Sequence, residues 1–592
     1  MPRMTVTQNK LGSHVEAAHA PRTPARAREA NPTAAARTGK QWALISCLLL
    51  AVVARLAGLL VVGHPEIRRG TLGLGSDEPS FHETAAAVAT TGEYARKPGG
   101  PATAFRPPGA ILPLAALYCV LGATPSVALV YVMLSGVAVV LMAYRLAWVT
   151  FGDGRVATVA ALIAAALPTQ VFTSAGIWSE PQAIFLTLLL LYLLIRRGSV
   201  GSLGGMRESS PPYQGGVRGG SKWPDNATSP WPPPSKGGGS WLWVGLCAAL
   251  AYLTRPSAGF LFPFLIGGAL LSGRGGFAQK VGAVGELADS IPSYPRKACP
   301  REGVGRVSRW GGGIRAPWIP AFAGMTSGGS LEFLGKAGRG WARAVNTALL
   351  LGALLLPIGA WGLRNWLTFG EFITGATVAG EALYGSNNPV TAGTSLPARQ
   401  VRRNAGTDFD LYAEAREGRY LGSWVPMDYI PGWDVPADAP ELDQYHRQMA
   451  ATRAFVRNEP WAWLRLLAYK LERLLTVEPY APSITHDVGT RRIAHRIVTV
   501  AEHWFVLGWG IAGMVLLFRS RSPGRYWYAS FLAAGLASVL VTYPNPRFLL
   551  PFTSILIVPA ALALTRSYDA WRPRYAGRPA SARGSLTVEH AA

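Results

Sequence analysis

The chain has 592 residues, of which 49% are hydrophobic and only 15% charged, and this composition is too apolar for a soluble multidomain enzyme. The formal net charge is +24, but the basic residues lie mainly in the gaps between apolar runs. They are therefore interpreted as determinants of membrane topology, and no nucleic-acid partner is expected. The four cysteines have no spacing typical of a metal site or a disulfide framework.

The N-terminal 40 residues have no apolar core and carry seven Lys/Arg against two acids, which predicts a disordered cytoplasmic tail. The first apolar run, 41–63, is too long for a typical signal-peptide core and lacks a clear cleavage site, so it is interpreted as a retained anchor. Residues 241–272 are interrupted by Thr254-Arg255-Pro256 and predict two shorter helices. Other runs long enough to cross or nearly cross a bilayer lie at 124–147, 156–175, 179–195, 346–363, 497–518, 526–543 and 548–565.

These runs predict an all-α polytopic membrane protein with about ten transmembrane helices and large external loops. Threading ten spans from a cytoplasmic N-terminus places every basic loop inside and residues 64–105 and 364–496 outside, as expected for a bacterial inner-membrane protein. Between Glu371 and Glu459 acidic residues outnumber basic ones twelve to eight. Residues 108–122 are apolar but short and open with prolines. Counting them as a span would invert the membrane orientation of all later segments. They are therefore expected to lie along the outer face of the membrane or to dip into it.

The expected organisation alternates membrane regions with polar segments. Two segments rich in Gly, Pro, Ser and Arg cannot build a packed core and are predicted to be disordered cytoplasmic insertions, with a regulatory docking segment as the alternative. The expected regions are a tail at 1–40, a transmembrane region at 41–198 whose first external loop is 64–123, insertions at 199–240 and 276–330, transmembrane helices at 241–272, 341–363 and 497–565, an external domain at 364–496, and a cytoplasmic tail at 566–592.

The first external loop contains an acidic pair, Asp77-Glu78, before a predicted helix. A carboxylate just past the first span is well placed to meet a reactant at the membrane surface and to act as a base. The alternative is that Asp77 or Ser76 only caps the following helix, whose dipole the acids complement. The residue types alone leave both interpretations open.

The order of motifs resembles the opening of the GT-C glycosyltransferases, in particular the family 39 branch with its protein O-mannosyltransferases and lipid A aminoarabinose transferases. Ser386, where a Gly-Asn is usual, and His82, in place of a common Tyr, depart from the pattern and leave subfamily and substrate open. The matching motifs are Asp77-Glu78, Gly92-Glu-Tyr94, Arg106-Pro-Pro-Gly109, Ser179-Glu180-Pro181, Leu253-Thr-Arg255-Pro256, Trp361-Gly-Leu-Arg364-Asn365-Trp366, Gly385-Ser-Asn387-Asn388-Pro389 and Pro546-Arg547-Phe548-Leu-Leu-Pro551.

The resemblance implies an inverting enzyme that takes a sugar from a polyprenyl-phosphate carrier on the periplasmic side. Asp77 matches the family's catalytic carboxylate, with Glu78 beside it and Glu180 as a further candidate. Five arginines would form a cationic pocket for the carrier phosphate, since a guanidinium binds phosphate oxygens bidentately; interfacial anchoring is the alternative for each. They are Arg55, Arg106, Arg255, Arg364 and Arg547.

Arg55 lies within the first apolar run, which is costly unless its side chain faces the bundle interior or reaches outward. Residues 443–478 predict an interfacial amphipathic helix. Besides the donor and membrane lipids, the expected partner is a glycolipid, polymer or protein acceptor. No metal site or cofactor is predicted, and dependence on a divalent cation stays open. The competing functions are a transporter or flippase of lipid-linked sugars, whose paired halves are not visible here, and an assembly scaffold.

Overall fold

In a computed structural model of the chain, the structure describes residues 32–62, 77–205, 239–271, 328–388, 439–476, 490–520, 522, 524–542 and 546–576. These residues form α-helices and short 3-10 turns, with one isolated bridge between Ala95 and Ala102. Most of the predicted N-terminal tail and insertions, and the last 16 residues of the predicted C-terminal tail, lie outside the described residues.

The helices of the N-terminal half carry most of the sequence motifs. In chain order they are α1 Pro32–Val62, α2 Glu78–Thr91, α3 Pro108–Leu121, α4 Pro125–Phe151, α5 Gly154–Ala166, α6 Pro168–Thr173, α7 Glu180–Gly205, α8 Gly239–Thr254 and, after a 3-10 turn, α9 Phe262–Leu271.

The second half contains one long helix and a series of shorter ones. They are α10 Gly328–Phe369, α11 Val378–Ser386, α12 Glu441–Asn458, α13 Pro460–Thr476, α14 Thr490–Arg519, α15 Arg525–Val541, α16 Pro546–Thr553 and, after a second 3-10 turn, α17 Ile557–Ala576.

The chain is an all-α polytopic membrane protein, as the sequence predicts. Within the described residues, five segments are long and apolar enough to cross a membrane: Gln41–Val61, Pro125–Phe151, Arg343–Phe369, Val500–Arg519 and Phe548–Arg572. Shorter apolar helices accompany them. The count of about ten spans stays a prediction.

Prolines decide where several apolar runs break. The run at 156–175 is not one helix but two, because Pro168 opens α6 directly after α5 ends at Ala166. The helix break predicted near Arg255 lies between α8 and a 3-10 turn that begins at Pro256. Residues 108–122 form α3, which has 14 residues and ends before Gly122. A helix of that length is shorter than the roughly 20 residues that cross a bilayer.

The core is a continuous apolar cluster between paired helices. The helix α8 packs along α10, α4 packs along α7, and α14 packs along α17. The last pair approaches closely because Gly513 has no side chain where the backbone of Pro559 passes. Leu188 and Leu350 are among the fully buried side chains of this cluster. These pairs hold the helix ends that carry the polar motifs.

Candidate active site

The carboxylate of Asp77 is bound to an arginine of the same loop, 64–123, which the sequence predicts to be the first external loop. The Nη2 of Arg106 donates to the Oδ1 of Asp77 at 2.5 Å. Asp77 occupies the N-cap position of α2 but makes no side-chain capping bond there. Ser80 links the two residues, since its Oγ donates to the Asp77 carbonyl and accepts from the Nε of Arg106 at 3.0 Å. The Asp77 side chain therefore pairs with Arg106 and does not cap the helix.

Aromatic rings fix the position of Arg106. Its guanidinium carbon lies 4.9 Å from the ring centre of Phe81 and 5.0 Å from that of Phe105. The hydroxyl of Tyr94 donates to the Arg106 carbonyl at 2.9 Å. The side chain of Asp77 is 31% exposed against 15% for Arg106. The pair is thus preorganised, and the Asp77 carboxylate is accessible to solvent.

Glu78 is turned inward and connects two motifs. Its side chain is buried, and its Oε1 accepts from the backbone N–H of Ile177 at 2.9 Å. Ile177 precedes the Ser179-Glu180-Pro181 motif by two residues. The first external loop and the start of α7 are therefore held together by a charge-assisted hydrogen bond.

Glu180 and Arg255 form a buried ion pair. The Nη2 of Arg255 lies 3.3 Å from the Oε1 of Glu180, whose side chain is fully buried. The Arg255 guanidinium also stacks over the ring of Phe548, with 4.8 Å between its carbon and the ring centre. Burying two charges is costly unless each has a partner, so the pair holds α7, the break after α8 and α16 in one arrangement.

The Arg106-Pro-Pro-Gly109 motif touches the motif that carries Arg255. A side chain at Gly109 would meet the backbone of Leu253 and Thr254, each 2.5 Å from an ideal Cβ position. Motifs far apart in sequence thus converge at one place, which the sequence resemblance implies but spacing alone does not reveal. They are Asp77-Glu78, Arg106-Pro-Pro-Gly109, Ser179-Glu180-Pro181, Leu253-Thr-Arg255-Pro256 and Phe548.

Arg364 binds the backbone of the first external loop at Tyr94 and Thr103. Its guanidinium donates to the carbonyls of Thr103 at 2.8 Å and Tyr94 at 2.9 Å, and to the Oδ1 of Asn365. It also faces the rings of Tyr94 and Trp361. These bonds support the loop that carries Arg106, and binding of a phosphate by Arg364 stays a prediction.

Arg55 faces the bundle interior. Its side chain is fully buried, and its Nη1 donates to the Ala51 carbonyl at 3.2 Å. The guanidinium lies beside Gly136, where an ideal Cβ would be 2.5 Å from its Nε. The Nε and Nη2 have no hydrogen-bond partner among the described residues. Arg547 belongs to α16, and its side chain lies outside the described residues.

Two acids that the sequence did not single out lie near the same loop. Glu441, at the start of α12, accepts from Thr103 Oγ1 at 2.6 Å, Ala104 N at 2.9 Å and Thr377 Oγ1 at 2.6 Å. Glu381 lies on α11. No local motif marks either acid, because the residues near each of them are distant in sequence.

The amphipathic stretch predicted at 443–478 consists of two helices, α12 and α13, that meet at Glu459-Pro460. Lys470 on α13 is buried and donates to Asn387 Oδ1 at 2.9 Å, Leu540 O at 3.1 Å and Thr542 O at 2.5 Å. Trp461 is exposed on another face of α13. Asn387 of the Gly-Ser-Asn-Asn motif thus joins α11, α13 and the end of α15.

An apolar groove of about 610 Å³ lies beside α14, α15 and α16. Its wall includes Leu549 and Thr553 of α16, the helix whose Phe548 stacks on Arg255. Arg519 lies at the far end of α14. Across the described residues, no group of three or more His, Cys, Asp and Glu is arranged to hold a metal ion.

No protein-family model and no curated protein matches the sequence. Similar solved structures include an oligosaccharyltransferase of Archaeoglobus fulgidus complexed with Zn and sulfate (13% identity, TM-score 0.39, 90% of this chain and 50% of that chain). The archaeal oligosaccharyltransferase AglB of Archaeoglobus fulgidus, in complex with an inhibitory peptide and a dolichol-phosphate, is 12% identical with a TM-score of 0.36, covering 91% of this chain and 52% of that chain. ArnT of Cupriavidus metallidurans bound to undecaprenyl phosphate is 16% identical with a TM-score of 0.32, covering 90% and 80%.

The chain spans about half the length of the oligosaccharyltransferases it resembles. With identities of 12% to 16% and TM-scores of 0.32 to 0.39, these likenesses are distant, and no activity is carried over from them to this chain.

Proposed function

We propose that this chain is an integral membrane glycosyltransferase that transfers a sugar from a polyprenyl-phosphate carrier to an acceptor, with inversion, on the periplasmic side. The observation that carries the proposal is the Asp77–Arg106 pair, 2.5 Å apart, at the point where the loop of Arg106 touches the motif of Arg255. The proposed reaction needs a carboxylate as a base and fixed cations that bind the phosphate.

Asp77 is the general base of the proposed reaction. The acceptor hydroxyl attacks the anomeric carbon, its proton passes to the carboxylate, and the carbon–oxygen bond to the phosphate breaks. The phosphate keeps the electron pair and leaves without a proton, because it is already a weak base. A single displacement inverts the anomeric configuration and forms no covalent glycosyl-enzyme.

Arginines supply the electrostatic part. Arg106 and Arg255 are held by aromatic rings and by carboxylates, so they are oriented before a substrate arrives. A planar guanidinium can bind the carrier phosphate bidentately while it retains its contact with an acid. Arg364 supports the loop, and Arg55 and Arg547 stay candidates for the same phosphate.

The apolar groove supports an isoprenoid carrier. It is lined by side chains such as Ile511, Leu532 and Leu536, and it follows the helix that presents Phe548 to Arg255. A polyprenyl chain in this groove would bring its phosphate toward the arginines. The acceptor can be a glycolipid, a polymer or a protein, and the sugar is unassigned.

Charge distribution supports the location. The N-terminal tail is basic, and between Glu371 and Glu459 acidic residues outnumber basic ones twelve to eight, as expected for a bacterial inner-membrane protein with its N-terminus in the cytoplasm and its site in the periplasm. The competing function, a transporter or flippase of lipid-linked sugars, would also use a cationic cavity but has no need of a reachable base.

The test uses the full chain in liposomes with synthetic undecaprenyl-phosphate sugars that differ in the sugar. Released undecaprenyl phosphate and glycosylated acceptor are measured by mass spectrometry for the wild type and for Asp77→Asn. Transfer that is lost in Asp77→Asn is the expected result. Movement of the intact donor across the bilayer without cleavage, equal in both proteins, would assign the flippase function instead.

A further inference from the structure

The helix α11 is docked directly on the loop that carries Arg106. The N–H of Thr377, at the N-cap of α11, donates to the Ala104 carbonyl at 3.0 Å, and its Oγ1 donates to Glu441 at 2.6 Å. Ala104 is two residues before Arg106. Glu381 follows Thr377 by four residues, so both lie on the same face of the helix. Glu381 thereby comes within electrostatic reach of the Asp77–Arg106 pair.

The surroundings of Glu381 are charged but give it no fixed partner. Burial raises the pKa of its carboxyl; Arg106 and Arg96 oppose this shift, and the charge of Asp77 adds to it. The described residues offer its carboxylate no hydrogen bond. From α12, Tyr445 lies against Gly380, while Glu441 is engaged with Thr377.

We infer that Glu381 is a second carboxylate of the reaction site and that it receives the acceptor's proton from Asp77. The inference rests on the proposed function and deepens it. Arg106 favours the ionised form of Asp77, while Glu381 lies where a neutral carboxyl is tolerated. Of these two carboxylates near one arginine, Asp77 favours the ionised form and Glu381 the neutral form. A single proton shared by the pair is therefore bound by Glu381.

The proton balance is complete within the site. The acceptor hydroxyl loses its proton to Asp77 as the new carbon–oxygen bond forms and the bond to the phosphate breaks. The proton then passes to Glu381 through water, and the Asp77–Arg106 ion pair is restored. Glu381 releases the proton to solvent before the next turnover. No oxidant, reductant or metal is needed for this sequence.

The first experiment compares Glu381→Gln with Glu371→Gln as a matched control. Glu371 is an acid in the same region, but it pairs with His446 at 2.7 Å at an exposed position. In Glu381→Gln we expect kcat to fall about 10- to 100-fold, at or below the low end of the roughly 10²–10⁴ that a general base contributes. Donor KM should stay unchanged, and the acidic limb of the pH–rate profile should move to lower pH.

Glu381→Asp keeps a proton acceptor and should retain part of the rate and the acidic limb. It also serves if Glu381→Gln does not fold. An unchanged limb in Glu381→Gln, or a Glu381→Asp variant that loses the rate and the acidic limb completely, would overturn the inference. A merely structural role would change KM and thermal stability without moving the limb.

A second measurement does not depend on turnover. Infrared difference spectra of the full chain in liposomes are recorded over a pH titration without substrate. The wild type should show a carboxyl band that is absent in Glu381→Gln. Its midpoint should fall in Asp77→Asn, where a like charge is removed, and rise in Arg106→Gln, where a cation is removed.

A midpoint that ignores both substitutions would show that the three groups are not coupled and would overturn the inference. If the wild type transfers no sugar from any donor but the midpoints shift as expected, the proposed function fails while the placement of Glu381 stands. If transfer occurs and neither the profile nor the midpoint responds, only the role of Glu381 fails.

Discussion

Gly109 lies against the backbone of Thr254, so closely that an ideal Cβ at position 109 would be 2.5 Å from the amide nitrogen of Thr254. Through this contact the loop of Arg106 is held beside the helix break that presents Arg255. Both motifs lose their relative position if the two backbones separate. A methyl group is enough to test this dependence.

Gly109→Ala should therefore disturb the site more than its size suggests. The backbone atoms it meets cannot rotate away, so the contact has to open, at a cost typical of overpacking, about 1–3 kcal/mol. We expect a lower Tm and a lower kcat. Gly359→Ala in α10 is the control, since an added Cβ there meets nothing within 4 Å. Equal behaviour of the two variants would contradict the close contact.

Asp77→Asn separates catalysis from helix capping. Asparagine caps a helix about as well as aspartate, and the Asp77 side chain makes no capping bond in the structure. Turnover should fall by about 10²–10⁴ while protein level and donor binding persist. Titration calorimetry with undecaprenyl phosphate checks binding. Retained turnover would move the base to another carboxylate, and loss of activity in Glu180→Gln would then point to Glu180.

Neutralising Arg255 should weaken use of the lipid donor more than use of the acceptor. A charge-assisted contact to phosphate contributes about 1.5–3 kcal/mol, which corresponds to roughly a tenfold to hundredfold rise in donor KM. Arg255→Gln alone also leaves Glu180 as an uncompensated buried charge. The double variant Arg255→Gln with Glu180→Gln removes that charge and should recover stability but not donor KM. Recovery of both would make the pair purely structural.

Lys470 makes the docking of α13 sensitive to pH. Burial lowers the pKa of Lys470 from 10.5 to about 7. Between these pH values the unfolded chain binds more protons than the folded one, so stability should rise as pH increases from 7 towards 10.5. Lys470→Met should remove this slope and lower the Tm, because Asn387 and two carbonyls lose their donor. Thermal unfolding at pH 7, 8 and 9 measures both effects.

The control for that series is Lys97→Met, a substitution of an exposed lysine in the first external loop. It should keep the slope of the wild type. A slope that is lost in both variants, or kept in both, would show that Lys470 does not control it.

Features that depend on short stretches of sequence, such as apolar runs and local motifs, could be predicted. The apolar runs indicated a polytopic helical protein, and Pro168 and Pro256 explain where runs break, although the break at Pro168 was not predicted. The acid at position 77 and the arginines at 106 and 255 were singled out from motif order. Their pairing was not, since a salt bridge between Glu180 and Arg255 spans residues that no periodicity connects.

Other parts of the site lay beyond sequence reasoning. Glu441 and Glu381 follow no motif, and they reach the first external loop only because α11 and α12 fold back on it. Arg55 was expected either to face inward or to reach outward, and its packing beside Gly136 decides for the interior. Such choices depend on which helices become neighbours, and that information is not local.

The stacking of Phe548 on Arg255 has a consequence for biogenesis. Protein chains are made from the N-terminus, so Asp77, Glu180 and Arg255 are synthesised long before the ring that covers the arginine. Until Phe548 is in place, the Arg255 guanidinium of the ion pair is not covered by its ring. A nascent chain that stalls before α16 would hold all of these charges in an open arrangement. The last helices therefore complete the enclosure of this ion pair.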